Sequence, residues 1–157
     1  MDALTHTVSD QARLVAALHE ALGDNLHGVV LFGSRARGDA RKFSDWDVLL
    51  IATSLPSGVF ARDDVLRAAT PPDLRGLVSY IVRQPGEWSG DVPSLYFDIA
   101  LDGEVLYDPS GALTQRLSRL RAWAARVGLQ RSSGPERLSW KWTGAAPGPW
   151  PVRWEDT

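Results

Sequence analysis

Two apolar runs, separated by a Gly-Ser pair and a polar loop, constrain this chain more than any other feature. Residues 29–32 and 48–51 are apolar and rich in branched side chains, which predicts two buried strands. Between them come Gly33-Ser34, ten residues rich in Arg, and then Asp45-Trp46-Asp47. The chain must therefore turn sharply at Gly33 and re-enter the sheet beside two carboxylates.

The two carboxylates have the spacing of side chains on one face of a strand. Side chains i and i+2 of a strand point the same way, so Asp45 and Asp47 share a face and Trp46 lies on the other. Neighbouring carboxylates raise each other's pKa unless a cation lies between them. Mg²⁺ is suited to such a pair, because it binds one or two carboxylates and completes its shell with water and phosphate oxygens.

The Gly-Ser pair predicts a phosphate site. Gly33 allows a sharp turn and a close approach of the backbone to a ligand. Ser34 is predicted to cap the N-terminus of a short helix through Arg37, and such N-termini favour phosphate. The loop that follows is basic, with Arg35, Arg37, Arg41 and Lys42. A metal-bound nucleoside triphosphate is the simplest ligand that needs both halves of this segment.

Each half also has an ordinary interpretation. A Gly-Ser pair can be a plain turn, and Asp45 can cap a loop before a strand. The combination of strand, Gly-Ser, basic loop, Asp-x-Asp and strand in this order is more specific. It resembles the signature of the minimal nucleotidyltransferases of the DNA polymerase β superfamily. The motif covers residues 29–51, and the predicted strands extend the resemblance to about residue 108.

The resemblance implies an α/β (α+β) fold with a mixed sheet flanked by helices. It implies that three carboxylates, Asp45, Asp47 and Asp98, act in catalysis and bind two Mg²⁺ ions, with Mn²⁺ as a substitute. It also implies that ATP is the substrate. The nucleotide-binding residues would be Gly33, Ser34, Arg35, Arg37 and Lys42.

Asp98 enters this set because it is an acid inside an apolar run. Residues 95–101 are predicted to form a strand, followed by a hairpin at Asp102-Gly103. A buried carboxylate needs a partner. That partner would be a metal shared with Asp45 and Asp47, or else an Arg or a backbone group.

The remaining pattern predicts helices on both sides of the sheet. Helices are expected at 8–22, at 60–69 with Phe60 facing inwards, and at 110–127, and further strands at 27–32, 46–53 and 76–83. The predicted domain covers residues 1–128. Residues 129–157 form a Trp/Pro-rich tail expected to pack on the domain or on a partner, with Trp140, Trp142, Trp150 and Trp154.

Composition narrows the functional classes. The chain has 157 residues, a net charge of -2 and no cysteine, so we expect one soluble domain without disulfides or thiol chemistry. The charge predicts no bulk attraction to nucleic acid. The first residues lack the features of a signal peptide, and no apolar run is long enough to span a membrane, so a cytoplasmic location is expected.

The resemblance favours transfer of AMP from ATP to a hydroxyl group. The ten-residue spacing resembles antitoxins that modify a helical toxin partner, so a partner protein is the expected acceptor. A stand-alone enzyme acting on a small hydroxylated molecule, and an inactive module that binds a nucleotide or a partner, remain open alternatives. The sequence names neither the acceptor nor the oligomeric state.

Overall fold

A four-stranded mixed sheet carries the motif residues. The computed structural model describes residues 2–133, 138–146 and 152–157. The strands of this sheet are β1 (Leu26–Phe32), β2 (Trp46–Ala52), β3 (Val78–Arg83) and β5 (Glu104–Tyr107), and their order is β3-β2-β1-β5. β1 is antiparallel to both β2 and β5, whereas β2 and β3 are parallel. The predicted strands at 27–32, 46–53 and 76–83 and the predicted mixed sheet are confirmed.

Helices cover both faces of the sheet. They are α1 (Asp2–Leu22), α2 (Gly33–Arg37), α3 (Val59–Ala69), α4 (Ser94–Asp102) and α5 (Ala112–Val127). α1 and α3 pack on one face, where Leu14, Leu18 and Leu66 meet β1 and β2. α4 and α5 pack on the other face through a second apolar cluster. The three predicted helices are confirmed, but Phe60 is 87% exposed, so its predicted inward orientation is wrong.

The predicted strand at 95–101 and the hairpin after it are wrong. The segment is helix α4, and its buried residues Tyr96, Phe97, Ile99 and Ala100 have the spacing of a helical stripe. A short apolar run does not distinguish a buried strand from a buried helix by its pattern alone. Gly103 ends the helix, with its N–H donating to Ile99 O at 2.8 Å, and the chain then enters β5 beside β1.

The described part of the C-terminal tail packs against the domain. β6 (Leu129–Ser133) pairs with β7 (Leu138–Trp142), and a two-residue strand β8 (Val152–Arg153) pairs with β4 (Asp91–Val92). Trp154 is 6% exposed and meets Trp88 and Tyr96 edge-on, with ring centroids 5.0 and 5.3 Å away. The predicted contribution of Trp150 lies outside the described residues. The domain boundary at residue 128 stays a prediction.

No helix among the described residues is both long and apolar enough to cross a bilayer.

The packing of Trp154 gives a test of the tail's role. Trp154→Ala should lower the free energy of unfolding by about 3–5 kcal/mol, because it opens a cavity beside the rings of Trp88 and Tyr96. Urea unfolding followed by circular dichroism measures the loss. The exposed neighbour Arg153 provides the control, since Arg153→Ala should change the stability by only about 0.5 kcal/mol. Equal effects of the two substitutions would show that the tail adds nothing to the core.

Candidate active site

Asp47 lies between two neighbouring strands near the start of β2. Across the antiparallel pair it is in register with Phe32 of β1, and across the parallel pair with Ser79 of β3. Asp45 is exposed and comes just before β2 begins. The two carboxylates interact, because Asp45 contributes to raising the pKa of Asp47. The motif therefore forms an acidic pair at one end of the sheet.

Gly33 is required by its contact with Asp47. Its φ of +74° lies in the left-handed region, which side chains disfavour. A Cβ at Gly33 would overlap Asp47 Oδ2 and would lie 3.1 Å from Asp47 Cγ. The backbone at the Gly-Ser turn is therefore in contact with the Asp47 carboxylate. The sequence predicted that a glycine is needed here so that the backbone can approach a ligand. The structure adds a second reason, because a side chain at residue 33 would overlap Asp47.

Helix α2 begins directly at Gly33. Its N-cap is Phe32, and no side chain caps it, so the prediction that Ser34 is the N-cap is wrong. The reason is that β1 runs into the helix with no intervening residue to act as a cap. Ser34 lies in the first turn instead, and its carbonyl accepts the N–H of Gly38 and that of Asp39.

Burial and charge act together on Asp47. Burial is the largest cause of its raised pKa, Asp45 adds to the increase, and Arg37 opposes it. Burial and the charge of Asp45 both disfavour the ionised form of Asp47, so a cation beside it would stabilise that form. The acidic pair thus fits one Mg²⁺ or Mn²⁺ in charge and in donor chemistry.

The basic residues after Ser34 have separate partners. The Nε and Nη2 atoms of Arg35 donate to Ser44 O at 3.0 and 2.7 Å, and its guanidinium lies 4.9 Å from the Trp46 ring centre. Through these contacts Arg35 holds the end of the loop, at Ser44, next to the start of β2. Lys42 lies over the exposed ring of Phe43 at 5.5 Å. The nucleotide-binding roles of Arg35 and Lys42 stay predictions.

Asp98 does not lie on a strand beside β2, so its predicted position was wrong. It lies on α4, and Arg131 Nη1 donates to its carboxylate at 3.3 Å. The parallel neighbour of β2 is β3 instead. Within the described ranges, no cluster of three or more Asp, Glu or His side chains could hold a metal ion. The predicted three-carboxylate site with Asp98 is therefore not formed by these residues.

A chain of ion pairs connects the C-terminal tail to Arg37, whose charge acts on Asp47. Arg131 of β6 donates to both oxygens of Asp102, at 2.5 and 2.8 Å. Asp102 Oδ2 lies 3.7 Å from Arg37 Nη1, and the charge of Arg37 lowers the pKa of Asp47. The sequence assigned Asp102 to a turn and missed this role. No local pattern could have revealed it, because Asp102, Arg131 and Arg37 are distant in sequence.

The comparisons with known proteins agree with this geometry. Residues 14–84 match the family model described as "Nucleotidyltransferase domain". The match covers less than half of the chain, and it agrees with the predicted resemblance to nucleotidyltransferases.

Two individual proteins extend the comparison. "Putative protein adenylyltransferase MJ1305" of Methanocaldococcus jannaschii is 48% identical over 48 residues, which are 31% of this chain. The match spans about a third of that relative, 33% of its length. The crystal structure of a toxin-antitoxin with AMP-PNP superposes with a TM-score of 0.50 at 16% identity, over 74% of this chain and 88% of the other. At this identity the second likeness shows the fold alone.

The contact between Gly33 and Asp47 gives a matched pair of variants. Gly33→Ala should weaken binding of Mg²⁺-ATP about tenfold or more, because the new Cβ displaces the Asp47 carboxylate. Gly38→Ala is the control: Gly38 has a similar φ of +79° but open space around its Cβ position. Both variants carry the strain of about 1–2 kcal/mol for a left-handed Ala. Equal calorimetric affinities in the two variants would contradict the assignment.

The raised pKa of Asp47 gives a test by pH. The folded protein holds the Asp47 proton more tightly than the unfolded chain, so ionisation of Asp47 costs folded-state stability as the pH rises through its folded pKa. Asp47→Asn should therefore stabilise the metal-free protein at about pH 7.5, and the gain should shrink towards about pH 4. Urea unfolding at several pH values measures this gain. A loss of stability at neutral pH would refute the account.

Proposed function

We propose that this protein transfers AMP from ATP to a hydroxyl group of a partner protein, with a divalent cation bound at Asp45 and Asp47. The observation that carries the proposal is the contact between the Gly33 backbone and the Asp47 carboxylate. It joins a turn suited to a triphosphate and an acidic pair suited to a cation in one small site. The nucleotidyltransferase family of the domain supports the same chemistry.

The cation would be held by the two carboxylates and by the oxygens of the triphosphate. When bound, it would offset the negative charge on the phosphates during transfer. Asp47 contributes a half-buried carboxylate beside Gly33, and Asp45 contributes an exposed one that the substrate can reach. The protein's own part in catalysis is to hold these groups in place before the substrates arrive.

The triphosphate would lie along the Gly33-Ser34 turn. The first N–H groups of a helix have no partner within the helix, and they favour anions. Arg37 adds a positive charge that already acts on Asp47. With the α-phosphate placed there, the acceptor oxygen bonds to the α-phosphorus as the bond to pyrophosphate breaks. A nearby base accepts the proton of the hydroxyl group. No covalent enzyme intermediate is needed.

A protein acceptor is favoured over a small molecule. The relative from M. jannaschii bears the name of a protein adenylyltransferase, and the similar fold comes from a toxin-antitoxin structure with AMP-PNP. We therefore propose a toxin-like partner protein as the acceptor. Magnesium dependence, ATP as the preferred nucleotide and a cytoplasmic location belong to the same proposal.

Transfer of label tests the proposal directly. The protein is incubated with Mg²⁺, a lysate of the source organism and ATP labelled at either the α- or the γ-phosphate. Label from the α-position should appear in a protein band, and label from the γ-position should appear in pyrophosphate. Asp47→Asn should abolish both signals, whereas the control Asp63→Asn, at an exposed position of helix α3, should preserve them.

Other outcomes separate the alternatives. Label from the α-position in a small molecule would replace the protein acceptor with a small hydroxylated one. Calorimetric binding of Mg²⁺-ATP with no transfer to any acceptor would favour a binding module. Transfer by Asp47→Asn at the wild-type rate would contradict the role of the acidic pair.

A further inference from the structure

The strand beside Asp47 determines which groups can join the acidic pair. β2 and β3 are parallel, and Asp47 is in register with Ser79. Register partners in a parallel pair point to the same face, and adjacent strands lie about 4.8 Å apart. The next residues on that face, Leu49 and Ile81, both belong to the cluster under α4 and α5, which confirms the shared orientation. Ser79 therefore lies directly beside Asp47.

Ser79 is open to a ligand, whereas the opposite neighbour of Asp47 is not. On the β1 side, Asp47 is in register with Phe32, a buried apolar residue that offers no donor atom. On the β3 side, Ser79 is exposed. The position of Ser79 is thus the place along the sheet from which a third group could reach a cation at Asp47.

The residue at this position is a hydroxyl and not a carboxylate. β3 reads Val-Ser-Tyr-Ile-Val-Arg, so the whole strand contains no acid. Two acids of α4, Asp98 and Asp102, are committed to Arg131. In the described part of the chain, no third acid or histidine joins Asp45 and Asp47 as a metal cluster.

Charge and ligand number then limit the site to one ion. A Mg²⁺ or Mn²⁺ ion can be satisfied by one or two carboxylates together with phosphate oxygens and water. Two ions about 3.5–4 Å apart repel strongly and need further negative ligands between them. The protein supplies two negative charges, those of the acidic pair, which match one divalent ion, so a second ion would depend on the triphosphate alone.

We propose that this protein binds a single divalent cation together with its nucleotide, and that Ser79 at the third position sets this number. The inference rests on the proposed cation site at Asp45 and Asp47 and goes beyond it. It replaces the two ions expected from the sequence with one. It also makes a specific claim about Ser79, whose hydroxyl is neutral where an acid would recruit a second ion.

Counting the bound ions tests this claim without measuring activity. Native mass spectrometry of the full chain with AMP-PNP and Mn²⁺ resolves complexes that differ by one metal ion. The wild-type complex should carry one Mn²⁺ per nucleotide. Ser79→Asp adds a third carboxylate beside Asp47, so this variant should bind two Mn²⁺ ions. The control Ser79→Asn has a side chain of the same shape as Asp but no charge, and it should still bind one Mn²⁺ ion.

Each outcome has a distinct meaning. Two ions in the wild-type complex would overturn the inference and leave the proposed AMP transfer intact. One ion in both Ser79→Asp and Ser79→Asn would show that Ser79 does not set the number. Nucleotide bound by the wild type with no ion would instead contradict the proposed cation site. If Ser79→Asp fails to fold, the count in the wild type still decides the number of ions.

Discussion

The contact between the Gly33 backbone and the Asp47 carboxylate is the constraint on which the site depends. It forces a left-handed residue without a side chain at the end of β1, and α2 begins at that residue. It also places a half-buried carboxylate beside the turn, at an electrostatic cost that appears as the raised pKa of Asp47. A protein that needed only a turn could use one without a half-buried carboxylate beside it. A bound cation would offset the cost of ionising the half-buried Asp47, which gives a reason for placing this carboxylate beside the turn.

A second set of interactions holds the surroundings of the site. Arg35 fastens the loop before Asp45 through Ser44 and Trp46, which limits the positions that Asp45 can take. On the other side, the pair of Arg131 with Asp102 brings β6 of the tail to the end of α4. Charged hydrogen bonds of this kind contribute about 1.5–3 kcal/mol each when they are shielded from water. The tail is therefore linked to Arg37 through Asp102, and Arg37 acts on Asp47 through its charge.

The sequence revealed the site's local parts, since these depend on neighbouring residues. The strands around Gly33 and Asp47 could be predicted because alternation and apolar runs are local signals. Helix α4 could not, because the six apolar residues that flank Asp98 in 95–101 satisfy a strand and a helix equally well, and only packing against α5 decides between them. Without α4 in place, Asp98 had no visible partner, so a metal was the natural expectation. The position of Ser79 beside Asp47 depends on strand order and register, which local patterns do not determine.

One site should hold both the cation and the triphosphate. A crystal structure with AMP-PNP and Mn²⁺, using anomalous scattering from manganese, shows whether it does. Manganese should give an anomalous peak in contact with the carboxylates of Asp45 and Asp47, and the triphosphate should lie against the Gly33-Ser34 turn. A nucleotide bound elsewhere, or manganese at Asp98 and Asp102 with none at the acidic pair, would show that the two ligands do not share this site.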